Sequence, residues 1–466
     1  MIDGAPSNGY RCRPVHEHRM TVPTPASVAI RPFEVTHRGI LSIAVPMTLA
    51  YLTTPLLGLV GMGVIGRLGD AALLGAVALG AVIFDFVFAT FNFLRSGTTG
   101  LVAQALGADD RTEIQATFYR ALIVAFAIGL GVLLLSQPIL TVALAALGGS
   151  PAVQAATTEY YSVRVFSTPF ALANYVMLGW LIGLGRSTLG LFLQTFLNGL
   201  NILLNLVFVL GLGWGIAGSA LGTTIGEAVT AILGLTLVVS RLDRAHRPSL
   251  AQILDRRQVF RMIAVNRDIM IRSFTLLFAF GFFASRGAKM GDVVLAANAV
   301  LMNFFLVGGY FLDGFAAAAE QYAGRAIGAR YKPAFIRSMK LTLGWGYVLA
   351  AIAACCFWFG GPYLIDWMTV NQAVRDTARH YLAWTALTPL AGVLAFEMDG
   401  VFIGATWSED MRNMMLLSLV LYLAVWAVAE PLWGAHGLWL AMLVFLSARG
   451  FTLAWRCRAR TRAAFA

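Results

Sequence analysis

Long apolar runs, bounded by turn residues or charges, divide the chain into about twelve segments, each near the length of about 20 residues that a helix needs to span a bilayer. They lie near 40–66, 72–97, 115–142, 153–184, 189–212, 216–240, 264–286, 293–322, 335–358, 372–404, 413–430 and 436–456. The fourth, eighth and tenth are long enough to tilt or protrude. A closed β-barrel would need alternating segments of about ten residues, whereas these runs are longer and apolar all round. The pattern predicts an all-α polytopic membrane protein.

The pattern also repeats. Gly69-Asp70 before one apolar run returns as Gly291-Asp292 before another, and Gln104-Ala-Leu-Gly-Ala108 returns as Arg325-Ala-Ile-Gly-Ala329. Thr168-Pro-Phe-Ala171 matches Thr388-Pro-Leu-Ala391, Ile182-Gly183 matches Ile403-Gly404, and Trp214-Gly-Ile-Ala-Gly218 matches Trp433-Gly-Ala-His-Gly437. The offsets are 222, 221, 220, 221 and 219. Five matches in one order mark a duplication. An even number of spans in each half makes the repeats parallel, and paired lobes of this kind suit a transporter that rocks about a site between them. The expected units are a polar, proline-punctuated tail at 1–35, six-helix lobes at 36–240 and 263–456, a basic linker at 241–262, and a basic tail at 457–466. The first tail has no apolar core of a cleavable signal, so it is read as disordered and cytosolic.

Composition agrees: 59% of residues are hydrophobic and 12% charged, with mean hydropathy +0.75, against about 25% charged in soluble domains. The net charge of +11 is a topology signal rather than a nucleic-acid signal. Arginines gather in the N-terminal tail, in the linker (Arg241 to Arg261), after the eighth run (Arg325, Arg330, Arg337) and at the C-terminus, while the loops near 146–152, 361–372 and 431–436 have no Lys or Arg. Alternate loops are therefore basic, which predicts an inner-membrane protein with both termini and the linker in the cytoplasm. Cys12, Cys355, Cys356 and Cys457 show no metal spacing and predict no disulfide framework. Enzyme signatures are missing: the six histidines form no metal pair on a helix face. Gly213-Trp-Gly-Ile-Ala-Gly218 matches GxGxxG, but it joins two membrane helices with no strand before it, so helix packing is the better reading.

Ionisable groups inside spans cost several kcal/mol and usually face a cavity or a partner. Asp85 lies halfway along the second span, Asp313 and Glu320 lie seven residues apart on one face of the eighth, Glu227 is in the sixth, and Glu397 and Asp399 are in the tenth. Asn92, Asn201, Asn205, Asn298, Asn303 and Tyr310 sit at similar depths, and Arg95, Arg120 and Arg164 are available as partners. Asp85, Asp399, Asp313 and Glu320 are candidates for ion coupling. Asn92, Asn201, Asn205, Glu227, Asn303 and Tyr310 are candidates for a substrate cavity, and aromatics such as Phe84, Phe86, Phe91 and Phe311 suit organic cations.

Several stretches identify the chain as resembling the MATE (multidrug and toxic compound extrusion) transporters, and the DinF-like branch among them. They are Val64-Ile-Gly-Arg-Leu-Gly69, Phe93-Leu-Arg-Ser-Gly-Thr-Thr-Gly100, Leu295-Ala-Ala-Asn-Ala-Val300, Tyr310-Phe-Leu-Asp-Gly-Phe315 and Asp399-Gly-Val-Phe-Ile-Gly-Ala405. The resemblance covers almost everything from Phe33 to about residue 455. It implies two six-helix bundles around a central cavity. It also implies export of organic cations driven by an inward proton or sodium gradient, with no further cofactor, from a monomer among membrane lipids. Two departures stand out. Gly61 occupies the place of the branch's first-span aspartate, and Asn205 that of the second acid in Asn-x-x-x-Asp. Coupling would then run through Asp85 or the C-terminal lobe, or be lost in a coupling-defective relative acting as a sensor. A flippase for a lipid-linked or polysaccharide precursor is the other alternative, though it would want interior arginines where mostly acids are read.

Overall fold

The computed structural model describes residues 30–466, and every regular element among them is helical. Twelve helices are long and apolar enough to cross a membrane: α1 (His37–Gly66), α2 (Ala72–Gly107), α3 (Arg111–Leu134), α4 (Pro151–Gly183), α5 (Ser187–Gly211), α6 (Gly215–Val239), α7 (Leu250–Lys289), α8 (Asp292–Gly328), α9 (Lys332–Met368), α10 (Gln372–Gly404), α11 (Ser408–Trp433) and α12 (Ala435–Ala464). Polar caps start several of them. Asp70 accepts from the Ala72 N–H at 2.8 Å and Asp110 from the Glu113 N–H at 2.9 Å, satisfying donors that a helix leaves open at its start.

The duplication is visible in the backbone. Left-handed residues recur at matched positions: Gly69 with Gly291, Asp109 with Arg330, Gly185 with Thr406, and Gly215 with Gly434. Close packing recurs too. A side-chain carbon at Gly179 would strike the Arg95 carbonyl at 2.3 Å, and its counterpart at Gly400 would strike the Ala316 carbonyl at 2.4 Å. The same glycine contact therefore joins α2 to α4 in one lobe and α8 to α10 in the other.

Several boundaries differ from the sequence reading, four of them in ways that matter to the fold. The third span was expected to run to 142, but the helix stops at Leu134 and a separate helix, Ser136–Leu147, follows. Pro138 explains the break, because it has no N–H to give the Leu134 carbonyl four residues back and its ring clashes with that carbonyl. The linker is shorter than 241–262: a turn at Arg244–His246 and a short helix at Leu250–Ile253 give way to a continuous helix from Arg256. Arg120 of α3 clamps that short helix, donating to the Ile253 and Gln252 carbonyls at 2.9 and 3.0 Å. Of the N-terminal tail, residues 1–29 lie outside the described residues. Its last part is docked: Val35 is buried, Arg337 donates to its carbonyl at 2.7 Å, and Arg325 stacks over Phe33 at 4.2 Å. The C-terminal stretch continues α12, with Phe465 packed on Phe335 at 5.6 Å.

The lobes interlock at the end that carries both termini. A side-chain carbon at Gly107 would lie 2.0 Å from the Arg325 carbonyl, and one at Gly328 would lie 1.9 Å from the Gln104 carbonyl. These are reciprocal contacts between matched repeats of α2 and α8. Gln104 adds hydrogen bonds to the Gly404 carbonyl and the Thr406 hydroxyl, both at 3.0 Å. Deeper along the bundle, α1 still meets α8, where Gly314 abuts Thr48 and the Ala44 carbonyl. Towards the opposite end this contact is lost: Gly58, Gly61, Gly63 and Gly66 of α1 face nothing within 4 Å. The lobes are closed on the terminal side and parted on the other.

Candidate functional site

Polar side chains from both lobes meet where this closed half ends. Arg95 follows Asn92, where α2 breaks between its two helical stretches. Its guanidinium crosses to Glu320 of α8 at 3.4 Å, and also touches Asn92 Oδ1 at 3.4 Å and Ser96 Oγ at 3.0 Å. Glu320 is 3% exposed, so this ion pair joins the lobes in a largely dry setting where Coulombic forces are strong. Tyr51 of α1 lies within charge range of Arg95, Glu320 and Asp313. Asp313, two turns from Glu320, lies within range of Arg95, Glu320, Arg272 and Asp399. Asp313 therefore stands at the junction of the lobes.

On the C-terminal side, Asp399 of α10 is 4% exposed and takes two guanidinium hydrogen bonds on one oxygen. One comes from Arg449 of α12 at 2.6 Å and the other from Arg272 of α7. Glu397, two residues earlier and so on nearly the opposite face of α10, is fully enclosed against Gly346 of α9, and neither carboxyl oxygen is bonded among the described residues. The nearby Thr342 hydroxyl donates instead to the Met339 carbonyl at 3.3 Å.

On the N-terminal side, Asp85 is exposed and lies within charge range of Arg164 and of Tyr310 across the gap. Arg164 is held over the Phe84 ring at 4.5 Å and donates to the Tyr160 hydroxyl at 2.6 Å. Glu227 of α6 accepts from Asn174 of α4 at 2.6 Å. Asn303 lies two turns from Tyr310 on the same face, towards the open end, and its amide donates back to Ala299 at 2.8 Å.

The candidates thus sort by place. Asp85, Asp313, Glu320, Asn92 and Tyr310 face the junction or the gap, with Asn303 further out. Asn201 and Asn205 do not: both are buried, Asn205 donates to Asn201 Oδ1 at 2.7 Å, and Gly226 of α6 packs on Asn201. Asn298 is likewise internal, accepting from Trp439 at 3.0 Å. Sequence reasoning passed over Arg272 and Arg449, although both lie inside apolar runs. With them the junction holds three arginines and three carboxylates, so its interior charge is balanced rather than mostly acidic.

Gly61 is not a packing glycine, since a side chain there meets nothing within 4 Å. Gly61→Ala is expected to leave stability unchanged or raise it by up to about 1 kcal/mol, the helix preference of alanine over glycine. Thermal unfolding of the purified protein reads this, and a clear loss would show a contact that this arrangement lacks.

The MatE family model matches residues 46–207 and 269–428, one stretch in each lobe. DNA damage-inducible protein F of Escherichia coli K12 is 37% identical over 422 residues, covering 90% of this chain and 92% of that protein. Multidrug export protein MepA of Staphylococcus aureus MRSA252 is 20% identical over 410 residues, covering 87% and 90%. Among solved structures, an outward-facing conformation of a multidrug resistance MATE family transporter superposes with TM-score 0.81 at 19% identity, covering 92% of this chain and 96% of that one. A MATE in a bent conformation superposes with TM-score 0.84 at 18% identity, with the same coverage.

Proposed function

Because the chain belongs to the MATE family of multidrug and toxic compound extrusion transporters, we propose that it exports amphipathic organic cations from the cytoplasm in exchange for protons or sodium ions. The family fixes the coarser statement: this is a multi-pass membrane transporter of small molecules and not an enzyme. The antiport reading rests chiefly on one observation. Two repeat-related lobes are interlocked on the terminal side and parted on the other, and carboxylates with no arginine bonded to them, Asp85 and Asp313, lie at the gap between them.

That geometry supplies a cycle. A cation entering the gap and a proton or sodium ion neutralise the same carboxylate charge, so they compete for it. If the ion-loaded and cation-loaded forms favour different lobe arrangements, each ion taken up resets the lobes for another substrate. The basic loops place the interlocked end in the cytoplasm, so the parted end faces outward and releases the substrate. Arg95–Glu320 and the reciprocal glycine contacts hold the cytoplasmic side shut in this state.

Asp85→Asn and Asp313→Asn test the assignment in liposomes. Neither residue is hydrogen-bonded to an arginine, so each variant is expected to fold. Each is expected to lose about tenfold in gradient-driven ethidium export, a coupling of about 1.4 kcal/mol. Wild-type rates for both variants would move coupling elsewhere.

A further inference from the structure

Around Asp399 two guanidinium groups share a single carboxylate oxygen. Arg272 and Arg449 both donate to Asp399 Oδ2, while Asp399 Oδ1 and the Nε groups of both arginines have no hydrogen-bond partner among the described residues. The two arginines differ in access. The Arg449 side chain is 3% exposed and shielded by the Phe445 ring at 5.6 Å, whereas the Arg272 side chain is 15% exposed. Arg272 has its one hydrogen bond, to Asp399, among the described residues. A guanidinium carries five donors in a planar fork that matches a carboxylate. Arg272 therefore retains most of its donors beside Asp313, at the meeting point of the lobes.

We propose that Arg272 forms a subsite for an anionic group, so that the solutes bound best carry a carboxylate as well as an organic cation. This rests on the export reading and narrows its substrate class. The cationic end would lie against Asp313 and Asp85, and the carboxylate would take the open edge of the Arg272 fork. A purely cationic solute would gain the first interaction alone. It would also bring a second positive charge close to Arg272.

Rhodamine 110 and rhodamine 123 separate these cases, since the second is the methyl ester of the first and lacks its free carboxylate. Binding of each to the purified full-length protein in nanodiscs is followed by fluorescence polarisation near neutral pH. The wild type is expected to bind rhodamine 110 about tenfold more tightly, the worth of hydrogen bonds to a charged group. Arg272→Gln should remove that preference while keeping affinity for rhodamine 123. Arg272→Lys, which keeps a charge for Asp399 but loses the fork, should show a reduced preference and serves where Arg272→Gln fails to fold. Equal or weaker binding of rhodamine 110 by the wild type would overturn the proposal. So would a preference in either variant that matches the wild type. Export of ethidium with no binding of either rhodamine would overturn the subsite and spare the export reading. Failure of both assays would sink the two together.

Discussion

Replacing Asp399 by asparagine is expected to cost the folded protein about 3–5 kcal/mol, the usual penalty for removing one partner of a buried ion pair. Its place inside the tenth span made Asp399 a candidate for ion coupling in the sequence. The structure points to stability instead. Among the described residues Asp399 is the one carboxylate hydrogen-bonded to Arg272 and Arg449, and the Arg449 side chain is 3% exposed. An amide in its place would offer each guanidinium a neutral acceptor and leave two positive charges facing each other in a dry interior. Thermal unfolding in detergent measures this directly. Asp399→Asn should unfold well below the wild type, and Asp399→Glu should recover most of the loss. An unchanged midpoint for Asp399→Asn would show that the two arginines are solvated, and Asp399 would again be free to act in coupling.

The second large effect is expected at the interlock. Gly328→Val would drive a side chain to within 1.9 Å of the Gln104 carbonyl oxygen and 2.7 Å of its carbon, both backbone atoms of the other lobe. The contact lies between lobes, so each lobe should still fold. The interlocked arrangement should become inaccessible, and an equilibrium that must visit both states would be held in one. Export is expected to fall by more than about a hundredfold, the effect of biasing the lobes by about 3 kcal/mol. Asn266, which meets Gly97 across the lobes, gives a readout independent of transport. A cysteine at Asn266 should react faster with a bulky thiol reagent in the Gly328→Val background. Gly58→Val, which meets nothing within 4 Å, is the matched control and should transport normally. Full export by Gly328→Val would mean that the reciprocal glycine contacts do not govern closure.

Most of the architecture was legible because a membrane makes the hydrophobic pattern unusually direct. All twelve spans were found, and the paired motifs at Gly69 and Gly291 or Gly107 and Gly328 turned out to be left-handed turns and lobe contacts. The third span was overrun because residues up to 142 stay apolar, and only Pro138 marks the break. Interior charges were read less well. Asp85, Asp313 and Glu320 stand out by type and depth, but Arg272 and Arg449 were absorbed into apolar runs near basic termini. An arginine deep inside a span is as costly as an aspartate, and that signal would have found them. Two of the asparagines lie elsewhere than the sequence suggested. Asn201 and Asn205 are buried and bonded to each other inside one helix, a place that sequence depth cannot separate from lining a cavity.

Gradient-driven export is tested most directly by reconstituting the wild type in liposomes. A pH or sodium gradient is imposed, with the ion at higher activity on the parted side, and movement of ethidium away from the interlocked side is followed. Ethidium transport should start with the gradient, collapse when an ionophore dissipates it, and fall about tenfold in Asp85→Asn or Asp313→Asn. Transport indifferent to both gradients, or identical in liposomes without protein, would contradict gradient-driven export.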